Sequence, residues 1–183
     1  EMLVGNVAAL APHKDYFTFL DTAARVLHTR EDVVFVIVGS GPLEKKIRQY
    51  ARQVCPPEKV IFTGFREDIP VVLPGLDVLL FTSRTEGLGT TLADALVCGV
   101  PVVATRAGGI PEIIQHERNG LTAVPGDVPA LAQALLRMLG DADLRKRLSV
   151  QGLQDSEQFT AAAMARNTLK VYARLCPITQ AST

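Results

Sequence analysis

Short runs of uninterrupted apolar residues recur along this chain, and they constrain its fold more than any other feature. Residues 33–39 read VVFVIVG, residues 77–83 DVLLFTS and residues 100–105 VPVVAT. A strand that is apolar at consecutive positions has no polar face, so a layer must cover it on each side. The segments between the runs have helical period. Residues 14–28 place Tyr16, Leu20, Ala23, Ala24 and Leu27 on one helical face. Pro42 stands at the favoured first position of a second helix, whose stripe is Leu43, Ile47, Tyr50 and Val54. Residues 2–10 and KVIFTG, ending at Gly64, add two strands. Residues 68–75 predict a short proline-broken helix, residues 91–97 a helix, GGIPEII a short helix and NGLTAV a short strand. Val128, Leu131, Leu135 and Leu139 mark a helix, and from Asp141 the chain reads as helical to about Cys176. Strands alternating with helices imply right-handed βαβ units on a parallel sheet. The expected fold is α/β, a Rossmann-like doubly wound domain over residues 1–176 with a helical extension from about residue 141. The tail PITQAST, residues 177–183, is expected to be disordered.

Charge and cysteine usage exclude several function classes. The 19 basic and 19 acidic residues cancel, so no global field draws the chain to nucleic acid or an anionic membrane. Cys55, Cys98 and Cys176 are scattered and odd in number, which suits reduced thiols in a cytoplasmic protein. Cys98 falls in an apolar helical pattern and is expected to be buried. His13, His28 and His116 are isolated, so no metal site is expected. No apolar run reaches the ~20 residues needed to span a bilayer, and no signal-peptide pattern opens the sequence. It opens directly in a strand-like run, as expected of a piece of a longer chain.

In an open parallel sheet, ligands bind beyond the carboxyl ends of the strands. That rule selects the loop carrying Lys14, the GSG turn at residues 39–41, GFRED at residues 64–68 and SRTEGLGTT at residues 83–91. The GSG turn fails the dinucleotide fingerprint, because Glu44 occupies the third glycine position. A tight turn with close helix packing explains it equally well. EGLGTT is more informative. Gly87 and Gly89 let the backbone approach a ligand, and a helix starts immediately after, with unpaired amides suited to a phosphate. Thr90 or Thr91 can cap that helix, and Lys14 can add a point charge for the same anion. Glu86 is either a cleft carboxylate or a surface loop residue. Asp94 is either a ligand contact or the acid of a capping box begun by Thr91.

The ordered motifs VAALAPHKD, FVIVGSGPLEKKI, VIFTGF and DVLLFTSRTEGLGTTLADALVCGVPVVATRAGGIPEII, followed by NGLTAVPGD, cover nearly the whole chain. They resemble the C-terminal, donor-binding domain of retaining glycosyltransferases of the GT-B fold, family-four type. The resemblance implies that Glu86 contacts hydroxyls of the donor sugar and that the backbone of Gly87, Leu88 and Gly89 lies along it. It further implies that amides near Thr90 and Thr91 hold the diphosphate with Lys14, that Asp94 binds the ribose, and that Phe65 and Arg66 line the nucleobase. The glycine turn at Gly41 borders the same donor site. Two positions depart from the family pattern. Asp94 stands where a glutamate is usual, one methylene short. Ala9 stands where an arginine usually pairs with the lysine on the diphosphate. Losing one charged hydrogen bond costs roughly 1.5–3 kcal/mol; either another residue such as His13 or Arg84 offsets it, or donor binding is weak, or the alanine is engineered or the function has drifted.

The implied activity is transfer of a sugar, with retention, from a UDP-, GDP- or ADP-sugar in polysaccharide or glycolipid synthesis. Lys14 and Glu86 are the expected catalytic residues; Lys14 and the helix N-terminus stabilise the leaving diphosphate, with no cofactor and no metal. The acceptor is expected on an N-terminal domain outside this sequence, so the chain alone would bind donor and turn over little. The rival readings are a sugar-nucleotide epimerase of the same architecture and a non-catalytic nucleotide- or partner-binding module. In FTAAAMARNTLKVYARL, Ala162, Ala165, Leu169 and Tyr172 are expected to form a packing stripe on a helix that crosses to the N-terminal half. A membrane-surface helix is disfavoured by its few basic residues. Peripheral association with the inner face of a membrane is the most that is expected.

Overall fold

A computed structural model describes residues 1–175. Its sheet comprises β1 (Met2–Val7), β2 (Val33–Val38), β3 (Val60–Gly64), β4 (Val78–Phe81), β5 (Val102–Thr105) and β6 (Leu121–Ala123). All pairs are parallel and the order is β3-β2-β1-β4-β5-β6. The helices are α1 (Tyr16–Leu27), α2 (Glu44–Val54), α3 (Ile69–Val72), α4 (Thr90–Val97), α5 (Ile110–Ile113), α6 (Val128–Gly140), α7 (Ala142–Ser156) and α8 (Ala161–Leu175).

The apolar runs divide their side chains between two cores. In β4, Val78 and Leu80 join a core with Phe19, Leu20, Ile47, Leu131 and Leu135 from α1, α2 and α6. Leu79 and Phe81 point the other way, toward Leu92, Leu96, Ile110 and Ile113 from α4 and α5. This two-sided burial is what consecutive apolar residues require.

Several boundaries differ from the sequence reading. β1 ends at Val7 rather than Leu10, because Pro12 opens a 3₁₀ turn through Lys14. α1 begins at Tyr16 rather than Lys14. Its cap is Asp15, held at φ 49°, whose side chain accepts from the Thr18 amide. Pro42 lies in a turn ahead of α2, since the Leu43 amide donates to Leu10 O instead of joining the helix. The expected continuous C-terminal helix breaks at a 3₁₀ turn over Glu157–Phe159. The Thr160 hydroxyl then accepts from the Ala163 amide and starts α8. The expected packing stripe on α8 faces solvent: Leu169 is 63% and Tyr172 61% exposed, and Ala163 is the buried residue of that helix. Cys98 caps the end of α4 and is half-buried rather than buried. Cys176 and the expected disordered tail lie outside the described residues.

Order 3-2-1-4-5-6 reverses direction between β1 and β4, the kind of switch point at which ligands of open α/β sheets bind. The loops there are locked to one another. Thr82 Oγ1 donates to Lys14 O and Asp15 O, each at 3.1 Å, and the Arg84 amide donates to His13 O at 2.8 Å. Thr105 Oγ1, at the end of β5, donates to Ser83 O at 2.6 Å. The turn after β5 then presses on the Glu86–Gly87 backbone. A Cβ on Gly108 would lie 2.0 Å from Glu86 O, and one on Gly109 1.9 Å from Gly87 O.

Gly109 has an ordinary φ of −78°, so substitution there tests the close approach alone. Gly109→Ala is expected to destabilise by about 1–3 kcal/mol through overpacking. Gly140→Ala, at a site with nothing within 4 Å, should leave the melting temperature unchanged or raise it. Thermal unfolding of both variants checks this contrast.

Candidate functional site

The loop after β1 supplies Lys14 and the loop after β4 supplies Glu86, one from each side of the switch point. Lys14 Nζ lies 2.5 Å from Glu86 Oε2, and Ser83 Oγ donates to the same oxygen at 3.2 Å. The ammonium also sits 4.9 Å from the centre of the Phe81 ring, whose negative face favours a cation. Only 15% of the Lys14 side chain and 13% of the Glu86 side chain reach solvent. Each charge therefore depends on the other, because a largely desolvated ion without a partner is costly. The Glu86 backbone is fixed as well, its carbonyl accepting from the Gly109 amide at 3.1 Å.

Three residues beyond Glu86, Gly89 adopts φ 75° and starts α4 as its cap, with no side chain bonded to the helix end. This corrects the expectation that Thr90 or Thr91 caps. It also removes the capping-box role of Asp94, which falls at the fifth helical position rather than the third. Asp94 is exposed, and its carboxylate has no hydrogen-bond partner among the described residues. The Thr90 and Thr91 amides likewise have no partner among the described residues. The start of α4 thus presents free N–H groups and the positive end of a helix dipole.

The other expected contacts are distributed over two clefts. Ala9, Ser40, Phe65, Arg66 and Thr91 line one of about 390 Å³, beyond the carboxyl ends of β1, β2 and β3. Leu88, Thr90 and Asp94 line another of about 570 Å³, walled on its far side by Phe159 and Met164. With about 100° between successive helical residues, Asp94 lies on the ridge of α4 between Thr90 and Thr91, at the border of both clefts. Gly41 has a packing role that accounts for its glycine: a Cβ there would lie 2.7 Å from Leu10 N. Phe65 is 69% exposed. Arg66 forks onto Asp68 and holds that carboxyl below its usual range by hydrogen bonding.

Ala9 lines the first cleft and brings no charge to it. Arg84 already has a partner: its Nε lies 2.7 Å from Asp15 Oδ2, while its side chain is 65% exposed. His13 is exposed at the mouth of the loop. Neither cysteine among the described residues is activated: burial pushes the Cys55 thiol up to about 11 and raises Cys98 as well. Among the described residues no group of three or more side chains could hold a metal ion, and no helix is long and apolar enough to cross a membrane.

Sequence reasoning did not single out Asp15, Phe81, Gly108 or Gly109, although each shapes the site. Gly108 and Gly109 follow a strand end, so the carboxyl-end rule alone would have admitted them.

Comparison with known proteins bears on the same region. Residues 1–155 match the family model described as glycosyl transferases group 1. N-acetyl-alpha-D-glucosaminyl L-malate synthase of Bacillus anthracis is 30% identical over 145 residues, covering 79% of this chain and 38% of that protein. 2-Deoxystreptamine glucosyltransferase of Streptomyces kanamyceticus is 31% identical over 141 residues, covering 76% and 36%. The chain thus spans less than half the length of these curated relatives. Among solved structures, Anabaena Alr3699/HepE in complex with UDP and glucose superposes with a TM-score of 0.86 at 26% identity, over 94% of this chain and 48% of that one. The C-terminal domain of the glycosyl transferase group 1 protein LpcC from Francisella tularensis gives 0.79 at 25% identity, over 86% and 85%. The chain belongs to the glycosyl transferases group 1 family and has the fold of the C-terminal domain of a GT-B glycosyltransferase.

Proposed function

We propose that this domain binds a nucleoside-diphosphate sugar as the donor half of a retaining glycosyltransferase, with the acceptor held by a further part of a longer chain. The observation that carries this reading is the Lys14–Glu86 pair at the switch point of the sheet. The uncapped N-terminus of α4 starts a few residues after it. A diphosphate entering there offers Lys14 a partner with more negative charge than one carboxylate. Lys14 transfers to it, and the amides of Thr90 and Thr91 bind the same anion. Glu86, released from the ammonium but still held through its backbone, accepts hydroxyls of the sugar. As the bond to the leaving diphosphate breaks, charge grows where the ammonium and the helix dipole already point, so the site needs no reorganisation at that moment. These groups supply the positive charge without a metal. Phe65 and Arg66 take the nucleobase side, Leu88 and the Gly87–Gly89 backbone run along the sugar, and Asp94 takes the ribose. The Anabaena structure with UDP and glucose supports a nucleotide in this fold.

A second reading, a non-catalytic module that holds a nucleotide weakly, is favoured by one feature. Ala9 leaves the first cleft without a second cation, and Arg84 is already committed to Asp15. An epimerase would need an acid and a base besides the Lys14–Glu86 pair, and the first cleft is lined by no carboxylate and no histidine.

Calorimetry of the chain with UDP, GDP and ADP is expected to show binding of at least one. Lys14→Met keeps the side-chain stem over Phe81 and should weaken that binding about 10- to 150-fold, the loss of one charged hydrogen bond. No binding of any of the three would sink the donor-site reading. Ala9→Arg should tighten binding by about tenfold or more on the same scale; an unchanged affinity would mean that position 9 does not face the diphosphate. Asp94→Asn is expected to weaken nucleotide binding while leaving the melting temperature within the few degrees that a change of ~1 kcal/mol produces. A drop in melting temperature with untouched affinity would assign Asp94 to stability alone.

A further inference from the structure

Asp15 is a buried acid that the donor scheme does not use. Its side chain is 4% exposed, and it adopts φ 49°, ψ 56°, a left-handed conformation that most side chains avoid. Besides Glu117 it is the only non-glycine residue with positive φ among the described residues. Its carboxylate accepts from Thr18 Oγ1 at 2.6 Å, from the Thr18 amide at 3.4 Å and from Arg84 Nε at 2.7 Å. The first two bonds cap α1. The third crosses the switch point to the loop after β4. Asp15 immediately follows Lys14, and Arg84 stands two residues before Glu86. The pair therefore clamps the two loops directly behind the Lys14–Glu86 contact. The backbone bond from the Arg84 amide to His13 O lies beside it.

We propose that Asp15 is a positioning residue that, through Arg84, sets the Lys14 ammonium at the place where a diphosphate binds. This rests on the donor-site reading of Lys14. An exposed arginine paired with an exposed acid would be worth little. Here the acid is buried, so its charge must find a fixed partner, and Arg84 is the cation placed to supply it. The same interaction removes Arg84 from the ligand. Asp15 thus spends one cation of the site on geometry and leaves Lys14 as the one that meets the diphosphate.

Asp15→Asn separates this role from capping, because asparagine tolerates the left-handed region and caps helices as well as aspartate does. Arg84→Met removes the clamp from its exposed side, and Arg84→Lys keeps a cation there. The expected result is a melting temperature close to wild type for Asp15→Asn and Arg84→Lys, and a lower one for Arg84→Met, which leaves the buried carboxylate without its cation. Affinity for UDP should fall about tenfold in Asp15→Asn and Arg84→Met and recover most of that loss in Arg84→Lys. Wild-type affinity in both Asp15→Asn and Arg84→Met would overturn the proposal. A crystal structure of Asp15→Asn without nucleotide gives a readout that does not depend on donor binding. Lys14 Nζ should move beyond the ~4 Å limit of an ion pair with Glu86; a contact retained at 2.5 Å would overturn the positioning role. If the wild-type chain binds no nucleoside diphosphate, the donor-site reading falls and the clamp is judged on that distance alone.

Discussion

A parallel sheet buried on both faces leaves its strand ends as the place where polar chemistry can gather. Strands β1, β2, β4 and β5 are apolar at nearly every position because each must satisfy a core on either side. The order β3-β2-β1-β4-β5-β6 then spreads the connections of β1 and β4 apart, so their loops face each other across a gap. The Lys14–Glu86 contact, the clamp behind it and the clefts beside it are consequences of that one reversal. None would form in a sheet wound in a single direction.

On the proposed donor reading, the charge across that gap is paired but exchangeable. Lys14 and Glu86 are each less than one-sixth exposed, too buried for either to stand alone and open enough for an anion to reach the ammonium. Lysine suits this exchange because it is a point charge on a flexible stem. Arg84, with its planar fork, is held in a fixed bond to Asp15 instead. The glycines of the turn after β5 bring the Glu86–Gly87 backbone within van der Waals reach.

The strands and the placement of Lys14 and Glu86 beyond strand ends were readable from the sequence, because consecutive apolar residues and glycine-rich turns carry their signal locally. The clamp was not. Asp15 and Arg84 are 69 positions apart, and only the topology brings them together. Asp94 misled for a different reason: Thr91-x-x-Asp94 has capping-box spacing, but the left-handed Gly89 starts the helix two residues earlier than that box requires. On α8, periodicity told which residues share a face, but it carries no information on whether anything covers them. Leu169 and Tyr172 stand in solvent. The bearing of Phe65, Arg66 and Leu88 on a donor rests on their placement beside the clefts and on the family to which the chain belongs.

The central claim is that a diphosphate takes Lys14 from Glu86. A crystal structure of the domain with a bound nucleoside diphosphate tests it most directly. The account predicts Lys14 Nζ at the ~2.7–2.9 Å of a charged hydrogen bond to a phosphate oxygen, with the Thr90 and Thr91 amides on the same phosphates and Glu86 free of the ammonium. A nucleotide bound elsewhere, with the Lys14–Glu86 contact still at 2.5 Å, would contradict it.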